Sequence, residues 1–314
     1  MLILNPQHYY LIEQPWWEIL IALYLFLGGL GSMVYAVSFY YWRKGITQKM
    51  VVRGSIAGIL AVSVGILMLV LDLGHPERFY LVLLSPRLNF GSWIFIGSSV
   101  LSAFMLFAIL FVAPMLKWFK WLPWAENKKA IKFFGWVAFL FAICVAAYTG
   151  ILIGIVYNVP FWNAPALPVI FMISALSTGL ATLVLLLAPI REEGVEKITR
   201  TLAKSDGFVM LAELIVLGLY LIIRSYGPVG AIEAIHLILK GWPAPYFVGG
   251  VLLTGLAIPL LLIFGYEIRA KEEKVRYVAM LSAILVLVGG AMLRYVVLEA
   301  GVLQIPVVRN TVII

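Results

Sequence analysis

The sequence is poor in charged residues and contains almost no cysteine or histidine. Only 12% of its 314 residues are charged, whereas an ordinary soluble domain is roughly a quarter charged. The single cysteine, Cys144, lies in an apolar run, which excludes an intrachain disulfide, a Cys-x-x-Cys motif and a cysteine-ligated cluster within the chain. His8, His75 and His236 all lie outside the long apolar runs, so the chain lacks the facing histidine pair that usually holds haem b in a membrane. We therefore expect neither haem nor metal in this chain.

Apolar residues, by contrast, make up 63% of the sequence, and its mean hydropathy is +1.04. A membrane-spanning helix needs about 20 mostly apolar residues, and runs of that length follow one another along the chain, leaving no room for a separately folded aqueous domain. The N-terminal segment has neither a basic region nor a small-residue cleavage site, so we expect no removable signal peptide. The sequence predicts an all-α integral membrane protein with eight transmembrane helices, at residues 16–42, 54–72, 90–114, 133–157, 167–189, 207–224, 245–267 and 277–298.

The longest stretch without a charged residue runs from residue 133 to residue 190. Its 58 residues are too many for one span. Within it, the segment NVPFWNAPALP, residues 158–168, contains three prolines. Because proline clusters interrupt helices, this segment is predicted to be the turn between the fourth and fifth helices.

The predicted loops differ in their content of basic residues. Short cytoplasmic loops are enriched in lysine and arginine, so the loops after the first, third, fifth and seventh helices are predicted to face the cytoplasm and both termini to be extracytoplasmic. These loops carry 17 of the 23 basic residues, namely Arg43, Lys44, Lys49, Arg53, Lys117, Lys120, Lys128, Lys129, Lys132, Arg191, Lys197, Arg200, Lys204, Arg269, Lys271, Lys274 and Arg276. The net charge of +8 therefore indicates orientation and lipid contact in the inner (cytoplasmic) membrane, and we expect no nucleic-acid partner.

A weak internal repeat relates the two halves of the chain. LVLDLGHPERFY at the end of the second helix aligns loosely with LGLYLIIRSYG at the end of the sixth, and GGLGSM in the first with STGLAT in the fifth. Segments four helices apart share one orientation, which favours two four-helix bundles related by a parallel repeat, residues 1–160 and 161–314. Chance likeness between apolar helices remains the alternative.

Most of the unusual polar residues fall on the predicted outer side, and the densest group is DLGHPERF, residues 72–79. A quinol releases protons on oxidation, and a carboxylate or an imidazole is the natural acceptor. Asp72 and His75 are therefore candidate catalytic residues; the alternative is an ion-pair cluster that only terminates the helix. The residues on this side are His8, Glu18, Asp72, His75, Glu77, Arg78, Arg87, Glu233, His236, Arg294 and Glu299.

Three further side chains lie within the predicted helices. Tyr24 and Tyr148 are at similar depths in the first and fourth helices and could offer hydroxyls to a quinone, although ordinary packing is the alternative for each. Glu213 lies about two turns into the sixth helix from the inner side, where an ionisable group is costly and usually functional. It is predicted to belong to a proton path, and a hydrogen-bonded structural glutamic acid is the alternative.

These features resemble the polysulfide reductase membrane-subunit family, also called the NrfD family. The resemblance covers nearly the whole chain, and it rests on YLFLGGLGS (24–32), LDLGHPERFYLVLLSPRLNFGSW (71–93), AYTGILIG (147–154) and PFWNAPALPVIFMISALSTGLA (160–181). Asp72 matches the acidic position of the family's second helix, and Tyr148 the tyrosine of its fourth. The sequence departs from some members at Tyr24, where they have a quinone-contacting histidine.

The resemblance implies a quinone pocket in the first bundle near the outer face, to which Asp72 and Tyr148 belong as matches to family positions. Tyr24, His75 and Arg78 are further candidate binding residues. It implies a quinone such as menaquinone as substrate and no cofactor in this chain. It also implies an extracytoplasmic partner, a four-cluster ferredoxin-like iron–sulfur subunit that is itself attached to a molybdopterin catalytic subunit or a cytochrome. The expected function is that of a quinone-reactive membrane anchor in a respiratory oxidoreductase of the sulfur or polysulfide reductase type, with Glu213 as a candidate for a route of proton translocation.

Two other functions fit parts of the sequence. A secondary transporter would also have an internal repeat and polar groups at helix breaks, but it predicts broken, polar helices at the bilayer midplane. A purely structural membrane anchor would leave the intramembrane polar residues without a role.

Overall fold

The structure is a computed structural model, and it describes residues 19–46, 48–84, 90–190, 194–267 and 272–301. The regular structure within these ranges is helical, and eight helices are long and apolar enough to cross a membrane, which confirms the predicted all-helical membrane fold. We label them α1 to α8: Ile19–Arg43, Gln48–Leu71, Trp93–Val112, Lys128–Gly154, Ala166–Leu187, Val195–Ser225, Pro245–Gly265 and Glu272–Gly301. His8, Glu18 and Arg87 lie outside the described residues.

Several helices are longer than predicted, because charged residues do not end them. The sixth helix begins at Val195 rather than at residue 207. Its first three turns are amphipathic, with Val195, Thr199, Leu202 and Ala203 buried on one face at helical spacing. The predicted helix begins only where the sequence becomes continuously apolar. The observed helix also includes the preceding amphipathic turns, because one of their faces packs against the rest of the protein.

Consecutive long helices run in opposite directions, so their connections alternate between two ends of the molecule. α1, α3, α5 and α7 end where α2, α4, α6 and α8 begin, and we call this the basic end because it carries residues such as Arg43, Lys120 and Lys204. The other end, the far end, carries the residues that follow α2, α4 and α6. The domain boundary near residue 160 stays a prediction.

α1 and α2 pack unusually closely. A Cβ atom added at Gly31 would lie 2.6 Å from the carbonyl oxygen of Gly58, and one at Gly58 would lie 2.5 Å from that of Gly31. Only glycine at both positions lets the two backbones approach this closely, as small residues commonly do between membrane helices. α1 also packs against α4, α5 and α8, so it contacts both halves of the protein.

The connection between α4 and α5 is where the proline-rich turn was predicted, and four of its side chains are buried, namely Val159, Phe161, Trp162 and Ala164. Trp162 is fully buried and donates a hydrogen bond from Nε1 to the carbonyl oxygen of Val297 on α8, at 2.6 Å. The Tyr220 hydroxyl on α6 donates to the carbonyl oxygen of Phe161, at 2.5 Å. This connection therefore ties α6 and α8 together at the far end.

An additional helix, Val229–Lys240, lies between α6 and α7 at the far end. This segment lies between the sixth and seventh predicted helices and was expected to be a loop. It is amphipathic: Ala231, Ala234, Ile235 and Ile238 are buried, whereas His236 is exposed. With 12 residues it is too short to span a membrane, which is why a search for long apolar runs does not find it.

Candidate functional site

A cavity of about 340 Å³ lies among α1, α2, α3 and α4 at the far end. Most of its wall is apolar, contributed by residues such as Ile21, Ile66, Leu69, Leu101 and Leu152. Its volume falls in the range typical of small-molecule sites, about 300–1,000 Å³.

The cavity brings together three of the residues predicted from the sequence. Tyr24 near the start of α1, Asp72 just after α2 and Tyr148 near the end of α4 all line it. Tyr24 and Tyr148 lie close enough for their hydroxyls to interact electrostatically. The Tyr148 hydroxyl donates to the carbonyl oxygen of Trp93 at 2.9 Å, which leaves lone pairs on its oxygen for a ligand's hydroxyl.

Two serines of the cavity wall were not predicted. Ser98 and Ser102 lie one helical turn apart on α3 and add hydroxyl groups to the same site. Of the three serines in this otherwise apolar helix, Ser98 and Ser102 are at i and i+4, a spacing that places both on one face.

Tyr148 fits only because Gly97 on α3 has no side chain. A Cβ atom at Gly97 would lie 1.9 Å from Cζ of Tyr148 and 2.2 Å from its hydroxyl oxygen. Gly97 was not predicted from the sequence, because its role depends on which face of α3 meets α4.

His75 and Arg78 lie outside the wall of the cavity. Their side chains are 68% and 64% exposed, and the carboxylate of Glu77 lies between them, 3.1 Å from His75 Nδ1 and 3.8 Å from Arg78 Nε. The DLGHPERF segment is thus divided: Asp72 lines the cavity, whereas His75, Glu77 and Arg78 form an exposed polar group outside its wall. Roles for His75 and Arg78 in binding stay predictions.

The cavity opens at the molecular surface. Leu73, Phe79 and Ile94 belong to its wall and are exposed, Phe79 to 54% and Ile94 to 59%. Exposed apolar side chains at a membrane protein's surface are suited to contact with lipid, so a lipid-soluble ligand could enter between α2 and α3.

A second group of polar residues is buried in the other half of the protein. It contains Glu213, the predicted proton-path residue, together with Asp206 on the same helix and Arg294 on α8; their exposed fractions are 5%, 2% and 0%. Arg294 was assigned to the outer face, and that assignment is wrong: α8 continues to Gly301, which places Arg294 two turns inside the helix. Asp206 was missed, although its spacing of seven residues from Glu213 puts both on one face.

This second group is connected by hydrogen bonds. Ser177 Oγ donates to the Asp206 carboxyl at 2.6 Å. Arg294 Nη1 donates to Ser174 Oγ at 2.5 Å and to the carbonyl oxygen of Gly290 at 3.0 Å. Glu213 lies near Ser174 and near the charge of Arg294. These bonds compensate the high cost of burying ionisable groups.

Comparison with known protein sequences identifies the family of this protein. The family model described as "Polysulphide reductase, NrfD" matches residues 4–306. The protein is 30% identical to the C subunit of polysulfide reductase from Wolinella succinogenes over 302 residues, covering 91% of this protein and 94% of that subunit. It is 26% identical to the NrfD homolog of Haemophilus influenzae, covering 92% and 95%, and 26% identical to NrfD of Escherichia coli, covering 92% and 96%.

Proposed function

The protein belongs to the polysulphide reductase NrfD family, and we propose that it is the quinone-reactive membrane anchor of a respiratory oxidoreductase complex. It exchanges electrons between menaquinol, or a related quinone, and an extracytoplasmic four-cluster iron–sulfur subunit attached to a molybdopterin subunit or a cytochrome. One relative is named as one subunit of a reductase, which supports membership of a multisubunit complex. The observation that carries the proposal is the cavity lined by Tyr24, Asp72 and Tyr148.

The cavity combines the properties that a quinol site requires. A quinol has a ring with two oxygens and an apolar tail, and it reaches its site through the lipid. The apolar wall and the exposed Phe79 and Ile94 suit the tail and its entry, and the hydroxyls of Tyr24 and Tyr148 suit the ring oxygens.

Asp72 is the proton acceptor in the oxidising direction. A quinol that loses two electrons also loses two protons. The electrons pass to the partner's cluster, and the protons pass one at a time through Asp72 to water. His75 and Glu77, exposed and 3.1 Å apart, lie close to Asp72 in sequence on the aqueous side and lead from it to solvent.

The test uses the purified complex containing this protein and its partner subunits. Asp72→Asn should lower the turnover number for quinol oxidation about 100-fold, the usual contribution of a positioned base, and Tyr148→Phe should mainly raise KM. Glu126→Gln is the control, because Glu126 is exposed at the basic end, away from the cavity. Unchanged turnover in an assembled Asp72→Asn complex would contradict the role of Asp72.

A quinone titration tests the proposal as a whole. Reduced quinol analogue added to the oxidised complex should bleach the iron–sulfur absorbance of the partner. No bleaching, in a complex whose clusters respond to dithionite, would instead favour a structural anchor.

We propose further that quinol oxidation is coupled to proton translocation through Glu213. If the protons and the electrons of a quinol are released on the same side of the membrane, no charge is separated. Coupling to proton translocation therefore requires protons that cross from the cytoplasm. The burial of Glu213 among Ser174 and Arg294 supports this role. In reconstituted vesicles, Glu213→Gln should abolish proton translocation while sparing quinol oxidation; translocation at the wild-type rate would contradict it.

A further inference from the structure

Two basic side chains lie on neighbouring helices where their apolar spans meet the basic end. Arg43 is the last residue of α1, and Lys132 lies one turn after the start of α4. Residues 19–42 and residues 133–190 contain no charged side chain. Both cations therefore mark the level at which a membrane helix leaves the hydrocarbon core and reaches the lipid head groups.

Aromatic side chains hold α1 and α4 together at this level. A Cβ atom at Gly135 on α4 would lie 2.3 Å from Cε2 of Phe39 on α1, so the absence of a side chain at Gly135 makes room for this ring. Phe39 contacts the indole of Trp136 edge to face, with ring centroids 5.3 Å apart. Phe39 is 1% exposed, whereas Trp136 is 46% exposed. The buried ring thus fixes the position of an indole that remains open to the surroundings.

Trp136 is the neighbour that the two cations share. Cζ of Arg43 lies 5.8 Å from the centroid of the indole, within the range of a cation–π interaction. Lys132, one turn before Trp136 on the same helix, lies about 6 Å from it. In the part of the protein that the structure describes, neither cation has a carboxylate partner or a side-chain hydrogen bond. Their N–H donors are therefore available to an anion.

The surface of α4 beyond these cations is apolar. Lys132, Trp136 and Leu140 recur every four residues, which places them along one side of the helix. Leu140 is 61% exposed and lies about 6 Å further from the basic end than Trp136. Cations at the head-group level with exposed apolar side chains next to them suit the two parts of a phospholipid, its phosphate and its acyl chain.

We propose that Arg43, Lys132 and Trp136 form a binding site for one anionic phospholipid in the leaflet at the basic end. The guanidinium of Arg43 and the ammonium of Lys132 bind the phosphate, and Trp136 holds the guanidinium in place. An acyl chain packs along Trp136 and Leu140. Because two cations meet at one site, it favours a lipid with a net negative charge, such as phosphatidylglycerol, over the zwitterionic phosphatidylcholine. The bound lipid connects α1 to α4.

Native mass spectrometry of the purified, delipidated complex tests this site. Given equal amounts of the two lipids, the complex should bind phosphatidylglycerol at least about fivefold more than phosphatidylcholine. Each cation near an anionic lipid contributes about fivefold in affinity, so Arg43→Gln with Lys132→Gln should lower phosphatidylglycerol binding roughly 30-fold. Equal binding of the two lipids by the wild-type complex would overturn the proposal.

The matched control removes two other cations from the same end of the molecule. Lys197 and Lys204 are exposed on the first turns of α6, in the second half of the protein. Lys197→Gln with Lys204→Gln should leave phosphatidylglycerol binding within about twofold of wild type, because salt screens charges at a distance. A loss equal to that of the Arg43 and Lys132 double variant would overturn the site, since any two cations would then serve.

Arg43→Lys separates a defined site from the general attraction of a basic surface for anionic lipid. Lysine keeps the charge but lacks the planar guanidinium that binds a phosphate through two N–H groups and stacks on an indole. Phosphatidylglycerol binding should therefore fall about threefold or more. Unchanged binding by Arg43→Lys would overturn the defined site.

Inorganic phosphate tests whether a free anion is the ligand instead. An excess of it should leave phosphatidylglycerol bound, because contacts of the acyl chain add to the affinity of the lipid. Displacement of the lipid would assign the cations to a free anion and overturn the proposal. This experiment and the comparison of the two lipids use the wild-type complex, so they decide the question even if a variant fails to assemble. Neither depends on quinol oxidation.

Discussion

Tyr148 shows how a single residue in this protein depends on another that has no side chain. Its hydroxyl is held by the carbonyl oxygen of Trp93, and its ring occupies the space where Gly97 lacks a Cβ atom. The bond and the space are both supplied by α3, so the position of this hydroxyl in the cavity is set by the contact between α3 and α4. Gly97 is therefore a positioning residue for the proposed quinone site.

Replacing Gly97 by alanine should displace the tyrosine and raise KM for quinol about tenfold, because a shift of about 1 Å in a binding group is costly. Quinol oxidation by the assembled complex measures it. Gly218→Ala is the matched control, since a Cβ atom there meets nothing within 4 Å. In a Tyr148→Leu background, Gly97→Ala should have little further effect; an equal loss in both backgrounds would indicate damaged helix packing instead.

Candidate site residues could be predicted where the type of side chain is unusual for its position in the sequence. Asp72, Tyr24 and Tyr148 were identified from residue type and depth, and the structure brings them to one cavity. Ser98, Gly97 and Arg294 were missed or misplaced, because in a uniformly apolar helix the sequence does not distinguish the face that meets lipid from the face that meets another helix.

At the scale of elements, the eight long helices follow from hydropathy, and the structure confirms them. The ends of the helices do not follow from hydropathy, because α6 begins at Val195 with an amphipathic segment. The helix Val229–Lys240 is too short to be found by a search for long apolar runs. The connection between α4 and α5 was predicted as a turn from its prolines, but its burial depends on tertiary contacts of Trp162 and Phe161.

The buried indole bond of this connection should contribute to stability. Trp162→Phe removes the hydrogen bond to Val297 and leaves a buried carbonyl oxygen without that donor, which should lower the free energy of unfolding by about 1–3 kcal/mol. Unfolding of the purified protein in detergent, followed by circular dichroism, measures the change. Trp118→Phe is the control because Trp118 is 88% exposed. Equal stability of the two variants would show that the bond contributes nothing.

At the scale of the whole molecule, α1 joins the two halves. It supplies Tyr24 to the cavity proposed to bind quinone, and it packs against α2, α4, α5 and α8. A displacement of α1 would therefore change packing contacts in both halves of the protein. The concentration of lysine and arginine at the basic end predicts separately that this end faces the cytoplasm.

Two exposed aromatic residues at opposite ends allow that orientation to be tested. In a Cys144→Ser background, Trp118→Cys at the basic end and Tyr226→Cys at the far end introduce thiols at sites that are 88% and 87% exposed. A membrane-impermeant maleimide added to intact spheroplasts should label the cysteine at position 226, and it should label the one at position 118 only after permeabilisation. The reverse pattern would invert the orientation and place the cavity on the cytoplasmic side.

The burial of Trp162 restricts which substitutions the sequence can accept in evolution. A Cβ atom at Gly301 would lie 2.0 Å from Cε2 of the Trp162 indole, so a large ring at one position and any side chain at the other exclude each other. The two residues are 139 positions apart in the sequence, on an interhelical connection and on the last turn of the last helix. A lineage can therefore acquire a side chain at position 301 only after, or together with, a change to a smaller residue at position 162.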